Sequence, residues 1–119
     1  MRQIKQFQED IDVAGQIYNQ IRLYDRNAFM AWGANSFSKN GPNNGIVGYM
    51  KRNEGHLIFS VNGPKFKGKI IVLCMLDDTY TVIAGRVEKV NGLTDWNIHH
   101  AIEDVYVDNL VNVIDGIVG

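Results

Sequence analysis

Apolar residues in the first twenty positions recur at steps of three and four. Ile4, Phe7, Ile11, Ala14, Tyr18 and Ile21 share one stripe, with Gln, Glu, Asp and Asn on the other side, so the spacing predicts a helix over 1–22. Gly15 weakens that helix by about 1 kcal/mol relative to Ala without ending it. The period changes after Asp25-Arg26-Asn27. Phe29, Met30, Trp32 and Phe37 read as a strand over 28–37, made irregular by Gly33. Ser38 to Gly45 is rich in Gly, Asn and Pro and reads as a loop. Ile46 to Lys51 is a short strand, and Arg52-Asn53-Glu54-Gly55 a turn.

From His56 the alternation is clean, with Leu57, Phe59 and Val61 on one face and Ile58 and Ser60 on the other. Asn62-Gly63-Pro64 is a turn. Ile70 to Leu76 is apolar on both faces, which predicts a central strand covered on both sides. Thr79 to Val90 is a β-branched strand, and Asn91-Gly92 is a type I′ hairpin signal, because both residues accept left-handed geometry. Trp96, Ile98, His100 and Ile102 alternate with Asn97, His99 and Ala101, giving a strand over 95–102, with a helix capped by Asp95 as the alternative. Val105, Tyr106, Leu110, Val113, Ile114 and Ile117 predict a closing helix over 105–117, with Asp104 at its start and Gly116 and Gly119 at its end. No repeat and no βαβ period occurs. The pattern is an α+β fold in one domain, 1–119: an N-terminal helix, a curved antiparallel sheet of five to six strands within 28–102, and a C-terminal helix, the helices on one face.

Composition narrows the class. The chain has 119 residues, 45% apolar and 21% charged, as expected of a globular domain with one core. No apolar run is long enough to span a bilayer. Met1 to Gln6 has no apolar core behind its charges, which argues against a secretory signal. Cys74 is the single cysteine, so no internal disulfide can form, which suits a reducing cytoplasm. The net charge of −1 is uneven: residues 1–70 hold ten Lys/Arg and five Asp/Glu, and residues 71–119 two and eight. The plain expectation is that these charges mix on folding; the alternative is a dipolar molecule.

No catalytic constellation emerges. Adjacent His99 and His100 should point to opposite faces of a strand and so fail to share a metal ion. Cys74 lies in an apolar run, where a thiol is inert packing. Asp77-Asp78 and Glu103-Asp104 read as a solvated turn and a helix-start cluster. Phosphate-binding glycine loops and a nucleophile elbow are absent from the sequence. No enzyme, cofactor or metal is expected. The basic stretch is more informative: Lys39, Lys51, Arg52, Lys65, Lys67 and Lys69 lie near Tyr49, Phe59 and Phe66. Single-strand-binding sheets combine such cations with aromatic platforms. On that alternative the nucleic-acid contacts are Tyr49, Lys51, Lys65, Phe66, Lys67 and Lys69. Phe59, alternating with apolar neighbours, is expected in the core, and lysines beside strands also guard sheet edges.

Four segments together resemble a family. Phe29-Met30-Ala31-Trp32-Gly33-Ala34-Asn35-Ser36-Phe37 is similar to a Phe-x-x-Met-Thr-Gly-Ala-Lys-Asn-Phe block. Gly55 to Val61 resembles a Leu-Ser-Phe-Lys-Leu strand, and Asp78-Thr79-Tyr80-Thr81-Val82 with Gly85-Arg86-Val87 an Asp-Thr-Tyr-x-Val-x-x-Gly-Arg-Ile strand. Asp104 to Leu110 looks like a closing Gly-Val-Tyr-Ala-Asp-Gln-Leu helix. The blocks keep their order over roughly 15–119 and resemble small proteins of tailed phages and mobile elements. Trp32 replaces the family's Thr, and the 38–55 loop is longer. The resemblance implies a non-enzymatic accessory protein that binds a host protein or nucleoprotein stoichiometrically, inhibition of a defence nuclease in the anti-CRISPR manner being one form. The contacts expected for such a partner are Lys39, Asn43, Asn44, Lys51 and Arg52, because recognition sits on polar loops. The helical stripe or an uncovered edge strand leaves monomer and homodimer both open.

Overall fold

The computed structural model describes residues 2–38 and 53–119. Helix α1 (Arg2–Tyr24) is followed by a single helical turn, α2 (Ala28–Ala31), and by strands β1 (Asn35–Ser38), β2 (Asn53–Asn62), β3 (Lys67–Met75), β4 (Tyr80–Val90) and β5 (Leu93–Val105). Helix α3 (Leu110–Val118) closes the chain. The five strands form one antiparallel sheet in chain order, each pairing with its neighbour in sequence. The α+β class and the antiparallel meander are those expected from the pattern.

Alternation assigns the two faces. Leu57, Phe59, Val61, Ile70, Val72, Val82 and Ala84 join the larger core with α1 and α3. Ile58, Ile71, Leu73, Ile83 and Trp96 form a second buried cluster on the opposite face. Ile70 to Leu73 are fully buried, as a doubly apolar central strand should be. In α1, Ala14, Tyr18 and Ile21 pack toward the sheet as the stripe predicts, and Val13 and Ile17 add to them.

Three boundaries differ from expectation. Residues 28–31 are helical, because Ala28 and Trp32 turn inward across one helical turn; the strand begins only at Asn35. Asn53 to Gly55 belong to β2 rather than to a turn. Strand β5 runs to Val105, so Glu103 and Asp104 lie at a strand end; α3 starts at Leu110 behind Asn109, and Gly116 is inside it. Asp104 takes φ 58°, where the β4–β5 register shifts between Tyr80 and Val82. The helix alternative for 95–102 is thereby excluded. The predicted Asn91-Gly92 turn is present, with φ of 55° and 82°.

Aromatic rings hold α1 and α2 to the sheet. Phe29 stacks on Tyr18 at 4.8 Å and meets Trp32, Phe37 and Phe59 edge-on at 5.2–5.7 Å between centroids. Trp32 lies parallel to Phe59 and donates its indole N–H to Asp115 Oδ1 at 3.2 Å, tying α2 to α3.

Candidate functional site

Antiparallel pairing decides where the charges go. The start of β2, the β3–β4 turn and the end of β5 share one end of the sheet, because Asn53 pairs with Met75, Cys74 with Tyr80, and Tyr80 with Val105. That end carries Glu54, Asp77, Asp78, Glu103, Asp104 and, just beyond β5, Asp108. The opposite end holds the β2–β3 turn and the outer parts of β4 and β5, with Lys65, Lys67, Lys69, Arg86 and Lys89 against Glu88 and Asp95. Charge is thus segregated along the strands rather than mixed.

The acidic end shows how local bonding tunes its groups. Asp77 accepts from both the amide and the hydroxyl of Thr79, at 3.1 and 2.7 Å, and these bonds hold its carboxyl below the ordinary value. The half-buried Cys74 thiol donates to Glu54 at 3.7 Å. Burial first, and then the Glu54 carboxylate, push it up to about 11 from 9.0. Burial likewise raises the Tyr80 phenol, helped by Cys74 and Asp78. A nucleophile needs the thiolate, which this setting suppresses. Modification of Cys74 by a disulfide reagent at pH 8 should therefore run ~100-fold slower in the folded protein than in denaturant. Comparable rates in the two states would contradict that assignment. The raised value contributes stability that is present below about pH 9 and lost as pH climbs toward 11.

The basic end contains the densest polar cluster, and it is built around Phe66. A methyl group on Gly68 would lie 2.8 Å from Phe66 Cζ, so the missing side chain lets the ring lie down on the sheet. Phe66 is only 5% exposed. Arg86 covers it, with Cζ 5.3 Å from the ring centroid, and donates Nε–H to Lys67 O at 2.8 Å. His99 and His100 meet the same ring edge-on at 5.8 and 6.3 Å.

Both imidazoles reach Phe66 because β5 carries a bulge. Ala84 pairs with His100 but Gly85 pairs with Ile98, so His99 is the extra residue. The bulge turns both histidines to the helix-bearing face, overturning the expectation that they diverge. Gly85 is required there, since a Cβ would stand 2.6 Å from Asn97 O. Among the described residues, no group of three or more His, Cys, Asp or Glu is placed to hold a metal ion. No helix among them is long and apolar enough to cross a membrane.

The residues expected to bind a partner, Lys39, Asn43, Asn44, Lys51 and Arg52, lie outside the described residues, as do Tyr49 and the expected strand 46–51. The other four positions of the nucleic-acid alternative do not form one platform. Phe66 is buried, so it supports other groups instead of stacking with a base. Lys69 points to the opposite face and donates to Ser60 Oγ at 3.0 Å. Lys67 is exposed and, two residues before Lys69 in β3, shares its face, while Lys65 is exposed in the turn whose amide bonds to Val118 O at the end of α3. Sequence reasoning missed Arg86, His99 and His100; the isolated Gly85 within a strand was the available signal for the bulge. Comparison of the chain with protein-family models, with curated proteins and with solved structures gave no match in any of the three.

Proposed function

We propose that this chain is a non-enzymatic accessory protein of a phage or mobile element, acting by stoichiometric binding to host defence or nucleic-acid machinery. One observation carries most of the weight: the sheet has a cationic end and an anionic end. β3 has nine residues, so at ~3.3 Å per residue the two ends stand about 30 Å apart. The screening length at physiological salt is about 8 Å, so each end presents its own field to a partner despite the small net charge. Such fields orient an incoming macromolecule and speed its capture. Occlusion of a defence nuclease is one concrete outcome.

Affinity capture from bacterial host lysate, with and without nuclease digestion, tests the reading. A host protein or nucleoprotein should remain bound in near-equal amount after digestion. Charge reversal at the exposed Lys65 and Lys67 should weaken its retention by at least tenfold, roughly the effect of removing a few close charge pairs. Empty capture in both arms refutes the proposal. Capture that vanishes entirely with digestion replaces it with direct nucleic-acid binding.

A further inference from the structure

Three side chains around Phe66, none of them among the expected contact residues, share a role. We infer that Arg86, His99 and His100 form a contact site for single-stranded nucleic acid on the helix-bearing face of the sheet. The inference goes beyond stoichiometric capture of a host partner and can hold or fail without it.

Exposure comes first. Phe66 is buried, whereas Arg86, His99 and His100 are all exposed around it. The buried ring is therefore a base plate, and the groups above it are what a ligand meets. The Arg86 guanidinium spends Nε–H on Lys67 O. Its two terminal nitrogens carry four further N–H donors in a planar fork, a geometry matched to phosphate oxygens.

Two imidazoles on one side of a strand are the second observation. Regular alternation would separate them, and only the bulge opposite Gly85 brings both to the same ring. Each offers a flat π-face together with N–H donors. A nucleobase can stack on such a face, and stacking tolerates any base. An acidic peptide would use the guanidinium but has no use for paired flat rings. That difference favours nucleic acid over protein as the ligand of this cluster.

Charge is the third. Glu88 lies on the same face, but its carboxylate accepts from Asn97 Nδ2 at 3.1 Å. Asp95 pairs with Glu88 across β4 and β5 at the same end, whereas Glu54, Glu103 and Asp104 gather at the far end of the strands, beyond the reach of screened interactions.

Fluorescence anisotropy with a labelled oligothymidylate of about twenty nucleotides tests the site. The unmodified chain should bind at low salt. With one phosphate engaged by Arg86, affinity should fall about fivefold for a tenfold rise in salt. Arg86→Ala and the double variant His99→Ala/His100→Ala should each weaken binding at least tenfold, with thermal melting curves run alongside to confirm folding. His99→Gln/His100→Gln retains hydrogen-bonding capacity but not the rings, and should also lose affinity. Lys69→Ala, on the opposite face, should leave affinity unchanged. The inference is overturned by absence of binding at low salt, by equal losses in Lys69→Ala and Arg86→Ala, or by equally tight binding of polyglutamate.

Discussion

Replacing Trp32 by alanine is expected to destabilise the fold by about 4 kcal/mol, the usual range for truncating a buried tryptophan. Trp32 is 1% exposed, packs in parallel over Phe59 and meets Phe29 edge-on. No backbone ladder fixes α2, which is a single turn of four residues. Its position depends on this ring, on the Asn62 amide bonded to Trp32 O at 2.9 Å, and on the indole bond to Asp115. Trp32→Phe should recover most of the loss, because Asp115 is exposed and its hydrogen bond is worth only about 1 kcal/mol. Urea unfolding of the two variants checks both values. A loss below about 1 kcal/mol in Trp32→Ala would mean that the site collapses around the gap and that the ring is dispensable.

The second large effect is expected at Gly63. A Cβ there would be driven into Val118, against both its side chain and its carbonyl oxygen. That carbonyl accepts from the Lys65 amide at 3.0 Å, so the contact also locks α3 to the β2–β3 turn. A methyl group cannot be accommodated by rotating a side chain, because backbone is in the way. Gly63→Ala should therefore cost about 1–3 kcal/mol and raise amide exchange in α3. Gly116 gives a contrast of opposite sign. It lies inside α3 with open space around its Cβ position, and alanine there should stabilise by about 0.5–1 kcal/mol. If both substitutions shift stability in the same direction, close approach at Gly63 is not what holds α3.

These two positions also show what a sequence reveals. Period-two alternation identified β2 and most of β5, where each face meets a different environment, while the doubly apolar run Ile70 to Leu76 identified β3 and β-branched composition β4. Trp32 was visible as an apolar residue, yet its element was misread. A four-residue turn is too short for a 3.6-residue period to register, and the aromatic content of 28–37 resembles strand composition. The end of β5 was lost for a different reason. Asp104 at φ 58° interrupts the alternation, and Val105 resumes it out of phase. The cluster at Phe66 was the least legible. Phe66, Arg86 and His99 come from the β2–β3 turn, β4 and β5, and the bulge that aligns the histidines leaves no trace in spacing beyond one glycine.

The order of the strands has a kinetic consequence. From β2 to β5 each strand pairs with its immediate neighbour in the chain across a short turn, so this part of the sheet can grow hairpin by hairpin without closing a long loop. The tightest closure, at Asn91-Gly92, joins the two longest strands, of 11 and 13 residues. That hairpin is the natural nucleus, and substitutions within it should slow refolding more than they speed unfolding. Docking of α1 against β2, which joins segments far apart in the chain, should come late and show itself mainly in the unfolding rate.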